Sequence, residues 1–174
     1  MTLNNLGQLL TLLSYTIFCV SRFFKNKDKM LIFDNISRVV TIISFICLGS
    51  FNGIQNTIFS FIRNYCGQKL INKTVNAKRV TFVISFMIMS IVYLVSFRGI
   101  STIVMFICAV FNLIGVILLD EQGMRLCGLV GSILYSMFLY LIGNNTGFIC
   151  EIICALVLIS SYLLYKNKSN KWEK

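Results

Sequence analysis

The sequence predicts an all-α integral membrane protein of seven transmembrane helices, arranged as two parallel three-helix repeats joined by a linker helix, 3+1+3. Three observations carry this. The 174 residues are 57% hydrophobic, with mean hydropathy +0.81 and only 13% charged, too little polar surface to wrap a soluble core. The apolar residues fall into seven runs, each near the ~20 residues that a helix needs to cross a bilayer core. The 16 Lys and Arg gather in short loops and in the tail, as the positive-inside rule expects. They form no basic stripe, so nucleic acid is not an expected partner.

The first run, about Asn5 to Phe24, ends at the basic loop KNKDK. It reads as a retained span, because MTLNNLGQ lacks the basic n-region of a signal peptide. The second and third runs lie between Met30 and Leu70, joined by the turn SFNG. The polar connector QKLINKTVNAKR follows as the longest loop. The fourth run, about Val80 to Phe97, leads through Arg98 and Gly99 to the fifth, about Ile100 to Leu119. After DEQGMR come the sixth, about Leu126 to Ile142, and a GNNTG turn. The seventh spans Phe148 to Tyr165, and the tail KNKSNKWEK is expected to be disordered. With the first loop inside, thirteen Lys and Arg lie on the inner side against Arg98 alone outside. That bias predicts an outer N-terminus and a cytoplasmic C-terminus.

The two halves share a register. Sliding the chain by 94 positions sets Met30 on Met124, Gly49 on Gly143 and Gly53 on Gly147. The turns LGSFNG and IGNNTG coincide, as do the loops KNKDKM and LDEQGM. A single span separates the halves, so both triplets share one orientation. This divides the chain into a first repeat (1–70), a basic inner loop with a linker helix (71–99), a second repeat (100–165) and a basic tail (166–174).

Charged side chains inside spans are costly and normally face a protein interior or a polar path. Asp34 and Arg38, four apart, share a helix face and can pair. Arg63 and Asn64 return at comparable depth, so Asp34, Arg38, Arg63 and Asn64 are expected to form one inner polar cluster. Two readings stand side by side: a substrate or anion site, or arginines that snorkel to the interface and lock helices together. Gln55 and Asn56 begin the third run on the outer side. Glu151, the only acid of the last run, falls in the same layer under the repeat. A carboxylate there suits proton coupling or a hydrogen bond to a neutral solute. Asn112 lies near the middle of the fifth run, as a solute ligand or as helix-to-helix glue.

The chain has no histidine and no C-x-x-C pair among its seven cysteines. No metal or cofactor is expected, and no nucleophile–base dyad is evident, so an enzyme is not expected.

The basic loop, M-L-I, the glycine-flanked turn and the F-I-R-N ending resemble the YgjV family of bacterial inner-membrane proteins. Gly123-Met124-Arg125 and the spacing from Gly143 to Glu151 are similar to that family's pattern, and the resemblance runs from about Leu12 to Lys168. It implies a multi-pass protein of the bacterial inner, or plasma, membrane. At fold level the 3+1+3 order resembles the SWEET and PQ-loop transporters and the PnuC vitamin transporters. Those sugar and PQ-loop carriers hinge at prolines, whereas this chain has none; glycines such as Gly49, Gly115 and Gly131 would have to serve. The favoured expectation is a small-solute transporter or facilitator using Asn56, Arg63, Asn112 and Glu151, with a pathway between the two repeats. The alternative is a non-transporting interaction or regulatory protein whose polar residues only hold helices together. Expected partners are the lipid bilayer and a small polar solute, with a second copy of the chain as a candidate.

Overall fold

Capping groups, not proline, set the helix ends. In the computed structural model, which describes residues 3–49, 51–97, 99–141 and 145–169, there are seven helices and, among the described residues, no strand. They are α1 (Leu3–Ser21), α2 (Lys27–Leu48), α3 (Phe51–Lys69), α4 (Val75–Val95), α5 (Ile100–Ile117), α6 (Glu121–Leu141) and α7 (Asn145–Ser169). Six of them are long and apolar enough to cross a membrane. The exception is α3, where Asn52, Gln55, Asn56, Arg63, Asn64, Gln68 and Lys69 dilute the apolar residues.

Three expected loops are shorter than the sequence suggested, because polar side chains cap helices inside them. Asn26 Oδ1 accepts the Asp28 amide at 2.8 Å and starts α2 within KNKDK. Asp120 Oδ1 likewise accepts the Gly123 amide at 2.8 Å, so α6 begins within DEQGMR. Thr74 accepts from the Ala77 amide at 3.4 Å, and α4 takes up most of the second half of the long basic connector. Each cap satisfies an amide at a helix start that has no partner within its own helix. Between α2 and α3 the corner is tighter than a four-residue turn. Gly49 takes a left-handed conformation at φ 68° and returns its amide to Ile46, and Gly53 already lies inside α3. The basic tail, expected to be disordered, continues α7 as far as Ser169. Gly143, Arg98, the tail beyond Ser169 and the side chain of Gln55 lie outside the described residues.

The chain divides into two compact units, Met1–Ile71 and Asn72–Lys174. In the first, α2 packs against α1 and against α3. Its seam with α1 is antiparallel and made of small and hydroxylic residues. Gly7, Thr11, Ser14, Phe18 and Ser21 recur at alternating steps of four and three along α1. Ser44 donates to the Gly7 carbonyl at 2.7 Å and lies 2.7 Å from the Thr11 hydroxyl; Ser37 donates to the Ser14 carbonyl at 2.9 Å. Lipid tails are as apolar as leucine, so such close packing and interhelical hydrogen bonds are what hold membrane helices together.

In the second unit α6 packs against α5 and α7, and α4 packs along α5. Here the seam uses glycine. A Cβ at Gly131 would stand 2.5 Å from Asn112 Nδ2, and one at Gly115 2.8 Å from Cys127 Cβ. The α4–α5 contact is aromatic, with Phe106 against Phe86 and Tyr93 at ring separations of 6.0 and 5.5 Å. Buried apolar side chains, among them Leu113, Ile117, Met124 and Leu158, form a thin core. Most large apolar side chains face outward, as a lipid-facing surface requires.

Candidate functional site

The end of the first unit where α1 stops and α2 begins carries a buried ionic cluster. Asp34, about two turns into α2, is 1% exposed, about 10 Å along the helix from Lys27 at 1.5 Å per residue. Its Oδ2 accepts from Arg22 Nη2 at 2.8 Å and from Asn64 Nδ2 at 3.0 Å, tying the end of α1 and the inner face of α3 to α2. Arg22 follows the last residue of α1 and is 4% exposed. Its guanidinium also lies 4.2 Å over the Phe18 ring, and burial strengthens such a cation–π contact.

Arg38 faces the other oxygen. Its Nη2 stands 3.6 Å from Asp34 Oδ1, close enough for attraction and too far for a hydrogen bond. The Arg38 side chain is about a quarter exposed, and its guanidinium lies 5.4 Å from the Phe18 ring centroid. Asp34 Oδ1 is buried and accepts no hydrogen bond. Arg63 Nε and Nη2 both donate to Asn64 Oδ1, at 3.3 and 3.2 Å, while Asn64 is itself fully buried. The amide is therefore a relay that takes two bonds from Arg63 and passes one to Asp34. All three guanidiniums act electrostatically on this carboxylate.

Three arginines surround one aspartate, and the only other acid of the unit is Asp28, in the first turn of α2. Its place at a helix start is explained by the helix dipole.

Of the candidate residues, Asp34, Arg38, Arg63 and Asn64 stand together, and Arg22 and Phe18 join them. Asn56 lies two turns before Arg63 on α3 and is half-buried. Asn112 and Glu151 belong to the second unit. Asn112 Nδ2 donates to the Cys108 carbonyl of its own helix at 3.0 Å, against the backbone of Gly131. That is the geometry of helix packing. Glu151 is 8% exposed, on the same face of α7 as the buried residues Cys154, Leu158 and Ser161. Arg125, counted in the sequence as a loop cation, is in fact 1% exposed in the second turn of α6, with its guanidinium 4.5 Å over Tyr165. Arg22 and Arg125 escaped notice for the same reason: each closes or opens an apolar run, where basic residues ordinarily reach water. No group of His, Cys, Asp and Glu that could hold a metal occurs among the described residues.

A family model for a bacterial inner membrane protein matches residues 5–169. No curated protein and no solved structure matches the chain.

Proposed function

The chain belongs to the Imp-YgjV family of bacterial inner membrane proteins, and from that footing we propose that it is a small-solute transporter or facilitator. The observation that carries the reading is the Asp34 cluster, five charged or amide side chains gathered at one end of the first unit. Ionisable groups are retained at such depth at considerable cost, and a solute path is the usual reason. Arg63 and Arg38 are the solute-facing members, with Asn56 and Glu151 as further polar positions.

The two-repeat architecture of such carriers has support of its own. Shifted by 94 residues, the starts of α2 and α3 fall on those of α6 and α7, and the cap Asn26 falls on the cap Asp120. Burial follows the same register, pairing Ser14 with Cys108, Met30 with Met124, Asn64 with Leu158 and Thr57 with Glu151. The charged and amide residues of the cluster do not repeat, so the cluster belongs to one half only.

A second reading has its own observation. Asn112 and the hydroxyls of the α1–α2 seam are spent on packing, as in a membrane scaffold with no transport activity. Thermal stability of the purified protein against sugars, nucleosides, vitamins, amino acids and anions separates the two. A carrier is stabilised by its own solute, because the solute binds only the folded form. That stabilisation should be lost in Arg63→Ala. A flat response to the whole panel, with Arg63→Ala and Glu151→Gln merely unstable, would favour the scaffold.

A further inference from the structure

The exposed apolar stripes of α2 and α3 end alike. On α2, Ile46, Ile43, Val39, Ile36 and Ile32 are exposed, and the next position of the series, Lys29, is exposed too. On α3 the exposed series is Ile58, Ile62, Tyr65 and then Lys69. Steps of three and four keep each series on one face of its helix. The two lysines also stand at one level. Asn64 Nδ2 donates to Asp34 Oδ2 at 3.0 Å and fixes the register of the two helices. Lys29 precedes Asp34 by five residues, and Lys69 follows Asn64 by five. The helices turn back on each other at the Gly49 corner, so both lysines lie about 7.5 Å beyond that bond toward the same end, at 1.5 Å per residue. Lys69 Nζ sits 5.5 Å from the centroid of the Tyr65 ring, within the same layer.

An apolar stripe that closes on an ammonium matches an acyl chain that closes on a phosphate. The lysine stem reaches from the apolar face to headgroup level, and tyrosine favours the same boundary. Lys25, exposed between α1 and α2, adds a third cation at this end. The two acids of the unit are the buried Asp34 and Asp28 in the first turn of α2. Cations at a membrane surface attract anionic rather than zwitterionic lipid. We propose that this end of the first unit binds anionic phospholipid, with the phosphate at the level of Lys29 and Lys69 and the acyl chains along the two stripes. The inference does not depend on whether a solute crosses the bundle.

The test is native mass spectrometry of the full chain in detergent, titrated with phosphatidylglycerol or phosphatidylcholine of the same acyl chains. The ratio of lipid-bound to free protein at equal lipid gives the preference. The expected result is a clear preference for phosphatidylglycerol. The double variant Lys29→Gln/Lys69→Gln should lower it at least about fivefold, the worth of one cation near an anionic surface. Lys29→Arg/Lys69→Arg should keep it, which holds the test open should the glutamine pair lower Tm. A control pair removes the same charge elsewhere: Lys73→Gln, ahead of α4, with Lys78→Gln, half-buried in its first turn. That pair should retain most of the preference. Glycerol 3-phosphate, which carries the phosphate and no chains, should not displace the lipid. Equal binding of the two lipids, a full preference in the double glutamine variant, or an equal loss in the control pair would overturn the proposal. Displacement by glycerol 3-phosphate would overturn it too, because the site would then read a free anion.

Discussion

Asp34 holds three helix segments with one carboxylate. Removing its charge breaks the buried 2.8 Å pair with Arg22. Breaking a buried pair by deleting one partner typically costs about 3–5 kcal/mol, and Asp34→Asn is predicted to cost that much in a denaturant or thermal unfolding series. Arg22→Gln in the same background should recover part of the loss, because the two residues share the 2.8 Å bond. Strict additivity of the two variants would show that the contact carries little. The pairing of Asp34 with Arg38 was legible from their spacing of four on one helix. The inclusion of Arg22 was not: it depends on how α1 ends against α2, and a residue just past a helix end gives no periodic signal. Asn112 shows the converse. An asparagine at mid-span reads equally as a solute ligand or as helix-to-helix glue, and only the structure shows its bond to a carbonyl one turn back and its place against a glycine.

Helix pairs are held by small residues, and each seam has its own test. A methyl at Gly131 would meet Asn112 Nδ2 at 2.5 Å and displace it from the Cys108 carbonyl. Gly131→Ala is therefore predicted to destabilise by about 1–3 kcal/mol, the usual range for overpacking. Asn112→Ala in that background should restore stability by removing the obstruction; if it adds a second loss instead, the steric account fails. In the α1–α2 seam, Ser44→Ala removes a bond to the Gly7 carbonyl. Hydrogen bonds between membrane helices average about 0.6 kcal/mol, so the predicted loss is small and no larger than about 1.7 kcal/mol. The helices themselves were legible because long apolar runs admit little else in a bilayer. Their starts were not, since Asn26, Thr74 and Asp120 cap within stretches that look like loops by composition. The polarity of α3 is legible in its composition: seven amide or charged side chains in 19 residues leave it outside the six helices apolar enough to span.

At the scale of the whole chain, membership of an inner-membrane family and six apolar helices agree on the environment. The distribution of Lys and Arg predicts that the α1–α2 loop and the C-terminus face the cytoplasm. A C-terminal fluorescent protein that folds only in the cytoplasm should then glow, and one fused after Gly99 should stay dark; the reverse pattern would invert the orientation. The carrier account makes the most direct demand, that a solute must cross the bilayer. The protein is reconstituted into sealed liposomes, and uptake is measured for whichever solute stabilises it. The account predicts saturable uptake above protein-free vesicles, reduced at least severalfold by Arg63→Lys. A solute that binds and stabilises the protein, yet enters these liposomes no faster than empty ones, would contradict it.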